Sequence, residues 1–295
     1  MNYIGVNGVP TPAAEAVISV MDHGFMYGMG LFETFRTYRG QPFLLDRHLE
    51  RLRGGCRDLG IRYDTREELL RFEIAQLLEA NELLDGYIRL TVSAGAGPLG
   101  LPPEDYAEPS VIIYVKPLPE LDSELYIKGK ELWCLTTPRN TPEGKIRHKS
   151  LHYMNNILAK RELAGLSRDS RPKGAPEGLL LTAEGHLAEG IVSNLFFVRG
   201  GKLFTPEIGT GILPGITRTF VMELARRQGL QYEEGRYTWD ELVAAEEIFL
   251  TNSIQELVPV TTLVEPEGLR YSIGAGMIGP ITEMLLDSYR GSTGV

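Results

Sequence analysis

The run Lys116-Pro117-Leu118-Pro119-Glu120 is the strongest constraint on how this chain can fold. Proline has no N–H to give to a sheet ladder, so two prolines within four residues stop any strand and mark a boundary. Directly before it, Val111 to Val115 is an apolar strand expected to be buried on both faces. A chain of 295 residues is long for one domain and natural for two, each able to bury its own core. The expected division is an N-terminal α/β domain over residues 1–117, a linker over 118–122 and a C-terminal α/β domain over 123–295.

In the first domain, Leu31 to Tyr38 reads as a strand that turns at Arg39-Gly40 into Pro42-Phe43-Leu44. Alternation sets Phe32, Thr34 and Arg36 on one face and Glu33, Phe35 and Thr37 on the other, so neither face is cleanly apolar. The first set is either a solvated edge or the floor of a pocket for an anion. A helix follows, with Leu45, Leu49, Leu52, Cys56 and Leu59 as its buried stripe, Arg47, Arg51 and Arg57 around the rest, and Gly60 as its end. Thr65 and Glu68 have capping-box spacing for a second helix with core positions Leu70, Ile74, Leu77 and Leu78. Tyr87 to Ser93 is a strand with Ile88, Leu90 and Val92 on one face and Arg89 and Thr91 on the other. An arginine inside a strand needs an acceptor.

In the second domain, Gly178 to Thr182 and His186 to Glu189 pair across Ala183-Glu184-Gly185, and Asn194 to Val198 pairs with Lys202 to Phe204 around Gly200-Gly201. Thr210-Gly211-Ile212-Leu213-Pro214-Gly215-Ile216-Thr217-Arg218 enters a helix carrying Phe220, Val221 and Leu224. Such a segment is either a simple turn or a cradle in which backbone N–H groups and a helix N-terminus hold a phosphate. Trp239 to Ala245 is a short helix capped by Thr238 and Glu241. It leads into the strand Ile248 to Leu250 and then Thr251-Asn252-Ser253, small polar residues at a strand end, where ligands commonly bind.

A net charge of −9 with no basic stripe argues against nucleic acid and anionic membrane as main partners. The N-terminus has no basic region followed by an apolar run, and no window approaches the ~20 apolar residues of a spanning helix. The two cysteines, Cys56 and Cys134, have neither metal-ligand nor redox spacing, so no metal is expected and a reducing, cytoplasmic location fits.

The stretch from Arg147 to Asn156 carries the chemistry. Leu151, Met154, Leu158 and Ala159 recur with roughly helical spacing, which puts Lys149 at or just before a first helical turn. There the helix dipole, Arg147 and His148 would all disfavour an ammonium and leave a neutral amine able to form a Schiff base. With a phosphate cradle and Glu189, these are the parts that pyridoxal 5′-phosphate requires: an amine for its aldehyde, donors for its phosphate and a carboxylate for its ring nitrogen.

Their order along the chain resembles the fold-type IV pyridoxal-phosphate enzymes, which include D-amino acid aminotransferases, branched-chain aminotransferases and 4-amino-4-deoxychorismate lyases. The resemblance runs through Asp22-His23-Gly24-Phe25-Met26-Tyr27-Gly28, Phe32-Glu33-Thr34, His48-Leu49-Glu50-Arg51-Leu52, Lys149-Ser150-Leu151, the segment Glu189 to Phe196, Gly215-Ile216-Thr217-Arg218 and Thr251-Asn252-Ser253. It implies an α/β (α+β), two-domain, D-amino acid aminotransferase-like fold with the cofactor between the domains, in a homodimer whose partner subunit completes the pocket. It also implies Lys149 as Schiff-base lysine and proton shuttle, Glu189 on the pyridine nitrogen and Tyr153 beside the reacting centre. Arg51, the Ile216 and Thr217 amides and the Asn252-Ser253 strand end would hold the phosphate.

D-amino acid aminotransferases have a tyrosine where this chain has Phe32, and branched-chain enzymes have glycine at Thr34 and proline at Leu90. The remaining likeness, in Arg89 to Gly95 and Arg139 to Gly144, is to the lyases, with a branched-chain or D-amino acid aminotransferase as the alternative. The lyases release pyruvate and p-aminobenzoate in folate synthesis from a substrate with two carboxylates. Phe32, Thr34, Arg36 and Arg89 are the in-chain candidates to meet that substrate, because an arginine fork binds a carboxylate with two hydrogen bonds.

Overall fold

The computed structural model describes residues 1–102, 104–120, 122–166 and 175–294. The chain divides into two compact units, one of Met1–Pro119 with His148–His152 and one of Glu120–Arg147 with Tyr153–Ser292.

In the first unit the strands β1 (Tyr3–Val6), β2 (Val9–Pro12), β3 (Gly30–Tyr38), β4 (Gln41–Pro42), β5 (Tyr87–Ser93) and β6 (Ser110–Lys116) form one sheet in the order β2-β1-β6-β5-β3-β4. A short helix α1 (His23–Tyr27) precedes β3, and α2 (Leu45–Asp58) and α3 (Glu67–Ala80) lie between β4 and β5 in sequence. Leu31 and Phe35 of β3, Ile88, Leu90 and Val92 of β5, and Ile113 and Val115 of β6 pack with Leu45, Leu49, Leu52, Leu70, Ile74 and Leu77 of the helices into a single core. Both helical stripes therefore bury as their spacing predicts, and Gly60 (φ 67°) turns the chain just after α2.

Two local expectations fail. The residue at the N-cap of α3 is Arg66 and no side chain caps the helix; the Thr65 carbonyl is instead taken by the Arg53 guanidinium. Strand β6 is not buried on both faces, since Val111 and Tyr114 are only half-buried.

In the second unit α4 (Ser123–Lys128), β7 (Lys130–Cys134), α5 (Met154–Leu166), β8 (Glu177–Leu181), β9 (Leu187–Gly190), β10 (Asn194–Arg199), β11 (Lys202–Pro206), α6 (Ile216–Arg227), β12 (Tyr232–Gly235), α7 (Trp239–Val243), β13 (Glu247–Asn252), β14 (Glu256–Val264), β15 (Arg270–Ser272) and α8 (Pro280–Gly291) follow in order. Among the described residues the strands make a nine-stranded sheet, β12-β11-β10-β13-β14-β7-β8-β9, with β15 on β14. The β10–β11 hairpin turns on Gly200 and Gly201, both with positive φ (57° and 69°), the twist a two-residue hairpin needs and only glycine adopts twice without strain. Thr238 and Glu241 form the expected reciprocal capping box on α7.

The largest departure concerns Lys149. Helix α5 begins only at Met154, and Met154 (73% exposed) and Leu158 (49%) face water, while Ala159 and Leu163 are its buried residues. Residues 149–151 are extended instead: Phe32 N donates to Lys149 O (2.8 Å), Leu151 N donates to Gly30 O (3.0 Å), and Ser150 bridges Leu31 antiparallel. The backbone of the lysine segment thus pairs with β3 through a single antiparallel bridge. That pairing groups His148–His152 with the first unit, although the sequence assigns Lys149 to the second domain.

Candidate active site

Glu33 sits on the core side of β3 between Leu31 and Phe35, where an unpaired charge would be untenable. Helix α2 supplies its partners from residues three apart, which share a helix face. Arg51 donates from Nε to Glu33 Oε1 (2.8 Å) and from Nη2 to Oε2 (2.6 Å), and His48 Nδ1 lies 2.6 Å from Oε2. Burial alone would raise the Glu33 carboxyl; the Arg51 charge, then the His48 imidazole, reverse this and bring it down to about 2. Burial lowers the His48 imidazole, against the pull of the Glu33 carboxylate. Arg51 is therefore a guanidinium whose plane is set by a buried carboxylate. Glu33 and His48 stand in segments that carry the family resemblance but were given no role there; a glutamate alternating onto an apolar face opposite an i, i+3 His/Arg pair was the available signal.

On the opposite side of the same strand, Phe32 faces Thr91 and Thr34 faces Arg89 across the β3–β5 ladder, and Arg36 faces Tyr87. The four substrate candidates therefore share one sheet face. The Arg89 guanidinium lies 3.6 Å from the Phe32 ring centroid and Lys149 Nζ lies 4.6 Å from it, so both nitrogen groups lie over the same aromatic ring. Arg89 Nε also reaches Thr91 Oγ1 at 3.4 Å, and Arg36 stacks over Tyr38 at 4.4 Å. Lys149 is brought to this face by β3 pairing, not by a helix N-terminus. The neighbours expected to tune it are committed elsewhere: His148 Nε2 lies 3.4 Å from Asp58, and Arg147 donates from Nε to Gly211 O (2.5 Å) and from Nη2 to Asn140 O.

In the second unit Glu189, on β9, is buried and held by three donors. Oε1 accepts from Arg139 Nε (2.8 Å), and Oε2 accepts from Asn194 Nδ2 (3.1 Å) and from Leu213 N (3.0 Å). Arg139 is itself steadied by Asn155 Oδ1 at 2.7 Å. Burial nevertheless raises the Glu189 carboxyl, opposed first by the Arg139 charge and then by the Leu213 N–H. A buried carboxylate in that condition gains from one more cationic donor. Arg139 and Asn194 lie in segments that carry the family resemblance but were given no role in the sequence; a buried glutamate demanding donors was the signal, and their part in holding it required the fold. Tyr153 is half-buried immediately before α5, its carbonyl accepting from Ile157 N (3.0 Å).

The loop 210–215 delivers the chain into α6 with Gly215 at the N-cap, no side-chain cap and no acidic residue in the first turn. Its first N–H groups, including those of Ile216 and Thr217, thus begin the helix without a carboxylate competing for them. Thr217 Oγ1 lies 3.2 Å from Ser253 Oγ, which joins the helix start to the end of β13. Asn252 has a different part: its Oδ1 accepts from Ile254 N (2.9 Å) and Gln255 N (2.8 Å), shaping the turn that presents Ser253.

A lysine carried on a segment bridged to β3, a clamped buried glutamate and an uncapped helix start lined by hydroxyls occur here in a chain that belongs to the class IV aminotransferases, whose family model, described as "Amino-transferase class IV", matches residues 30–263. Within that family the chain is 42% identical to the aminodeoxychorismate lyase of Bacillus subtilis (strain 168) over 264 residues, 89% of this chain and 87% of that protein. The solved 4-amino-4-deoxychorismate lyase of Pseudomonas aeruginosa matches with TM-score 0.83 and 32% identity over 98% of each chain. The branched-chain amino acid aminotransferase of Escherichia coli matches with TM-score 0.85 and 27% identity, covering 98% of this chain and 94% of that one. A further branched-chain aminotransferase, solved with pyridoxamine 5′-phosphate, matches with TM-score 0.85 and 31% identity over 99% of this chain and 94% of its own.

Proposed function

We propose that this chain is a pyridoxal 5′-phosphate enzyme that cleaves 4-amino-4-deoxychorismate to pyruvate and p-aminobenzoate. The observation that carries the reading is the face of β3 and β5 on which Lys149 and Arg89 both lie over the Phe32 ring, Thr34 opposes Arg89, and Arg36 lies one alternation further along β3: two guanidinium groups on one sheet face for a substrate with two carboxylates. The 42% identity to the Bacillus subtilis lyase supports it.

The residues fit the cofactor. Lys149 would supply the amine that binds its aldehyde, and the buried Glu189 carboxylate, held by Arg139, would accept from its protonated ring nitrogen. Arg51, held by Glu33, the Ile216 and Thr217 N–H groups, the Thr217 hydroxyl and Ser253 would hold its phosphate, and Asn252 shapes the Ser253 turn. When bound, the cofactor supplies an electron sink for the carbon that bears the substrate nitrogen. Lys149 Nζ, freed once the substrate amine takes its place, would remove the proton from that carbon and later deliver it to the departing enolpyruvyl group. Glu189 keeps the ring nitrogen protonated through this cycle, and Arg89 and Arg36 orient the carboxylates. Tyr153 is the aromatic side chain assigned to the reacting centre. Aromatisation of the remaining ring drives the elimination.

The test is to incubate purified protein, loaded with cofactor, with 4-amino-4-deoxychorismate and separately with branched-chain or D-amino acids plus 2-oxoglutarate. Equal amounts of p-aminobenzoate and pyruvate are expected. Glutamate without p-aminobenzoate would replace the lyase by the aminotransferase reading, which the likeness to the branched-chain enzymes favours and which uses the same cofactor residues.

A further inference from the structure

We infer that Asn194 is a positioning residue that locks the ring-nitrogen acceptor and the phosphate cradle into one rigid piece, and so sets the spacing the cofactor must match; this deepens the cofactor reading above and rests on it. Asn194 opens β10 and is buried. Its Nδ2 donates both to Glu189 Oε2 (3.1 Å) and to Leu213 O (3.0 Å), while Leu213 N donates back to the same Glu189 oxygen (3.0 Å). One side-chain amide thus closes a ring with the carboxylate and the backbone of the segment that leads into α6.

Gly215 adds an independent observation. Its φ of −69° and ψ of 135° are open to any residue, so backbone freedom does not require glycine here. Space does: a Cβ at position 215 would lie 2.0 Å from Asn194 Oδ1. The helix start is thus packed directly on the amide that holds Glu189. The register puts Asn194 opposite Thr251, two residues before Ser253, so the same residue also borders the β13 end of the cradle. On the far side of the first turn, the buried Arg218 fixes α6 to Pro206 O (2.8 Å) and Glu234 Oε2 (2.6 Å), which leaves the helix start little freedom to follow a displaced loop.

The experiment titrates apoprotein with pyridoxal 5′-phosphate and with pyridoxal, which lacks the phosphate, for the wild type, Asn194→Ala, Asn194→Asp and Gly215→Ala. The pH midpoint of the bound cofactor's visible absorbance is followed for each. Removing Asn194 Nδ2 should weaken pyridoxal 5′-phosphate binding about tenfold to a hundredfold, the worth of one buried hydrogen bond to a charged group, and more than it weakens pyridoxal. The ratio of the two affinities should therefore shrink, and the absorbance midpoint should move in the same variant. Gly215→Ala, which leaves every donor in place, should shrink the ratio as well. The near-isosteric Asn194→Asp keeps the volume and should behave like Asn194→Ala, so a folding failure of the alanine variant does not decide the outcome. An unchanged ratio and unchanged midpoint, with only a lower apoprotein melting temperature, would overturn the inference. If the wild type itself binds no pyridoxal 5′-phosphate, the cofactor reading falls with it.

Discussion

Glu33 is the residue on which the first unit most depends for its charge balance. Its carboxyl lies at about 2 in the folded chain against an ordinary 4.5, so the unfolded chain takes up the proton first as pH falls. The stabilisation is complete above pH 4.5 and is lost as pH drops toward about 2; a shift of that size corresponds to roughly 3 kcal/mol. Urea midpoints measured from pH 5 to pH 3 should fall steeply for the wild type, and Glu33→Gln should flatten the curve while lowering stability at pH 7 by about 3–5 kcal/mol, because Arg51 loses its buried partner. Lys149→Ala is expected to abolish turnover and the absorbance of covalently held cofactor while the protein still binds the cofactor reversibly, which gel filtration after cofactor loading would show. Candidates such as Lys149, Glu189 and Thr217 were legible in the sequence because their chemistry is rare and their order is specific. Arg139 and Asn194 were not, since an arginine or asparagine in a loop is common, and only a buried oxygen within reach gives either a role.

Helices and strands carry a second set of consequences. Thr238 and Glu241 make a reciprocal cap on α7, whereas Thr65 makes none on α3, although the two segments show the same spacing. Thr238→Ala should cost about 1 kcal/mol in chemical denaturation and Thr65→Ala clearly less; equal losses would mean that Thr65 caps α3 after all. Glu247 caps α8 from a distant strand, accepting from Ile281 N (3.0 Å), Thr282 N (2.8 Å) and Thr282 Oγ1 (2.7 Å). Glu247→Ala should therefore destabilise by about 1–3 kcal/mol, read from the shift in melting temperature. Periodicity identified α2, α3 and β5, each of which buries an apolar face in one core, and turn residues located the β3–β4 and β10–β11 hairpins. It failed at 149–158, where extended chain runs into a helix whose early apolar residues, Met154 and Leu158, are exposed.

The whole molecule is two units with separate cores, and both tryptophans, Trp133 and Trp239, belong to the second. Tryptophan fluorescence reports that unit alone while far-ultraviolet circular dichroism reports both, so urea transitions of the apoprotein followed by the two probes should differ in midpoint; coincident curves would show that the units unfold as one. The sequence by itself determined that the chain can bury two cores, that a strand must stop at Pro117 and Pro119, where α2 and α3 run and which residue types a pyridoxal-phosphate site could draw on, because all of these follow from local spacing and side-chain chemistry. Tertiary structure alone decided which charges meet: that Lys149 is carried by pairing with β3, that Arg51 is aimed by Glu33, and that Glu189 is clamped by Arg139, Asn194 and the Leu213 backbone. Pairings of this kind join residues far apart in the chain, and burial makes them both necessary and specific, so no local pattern can announce them.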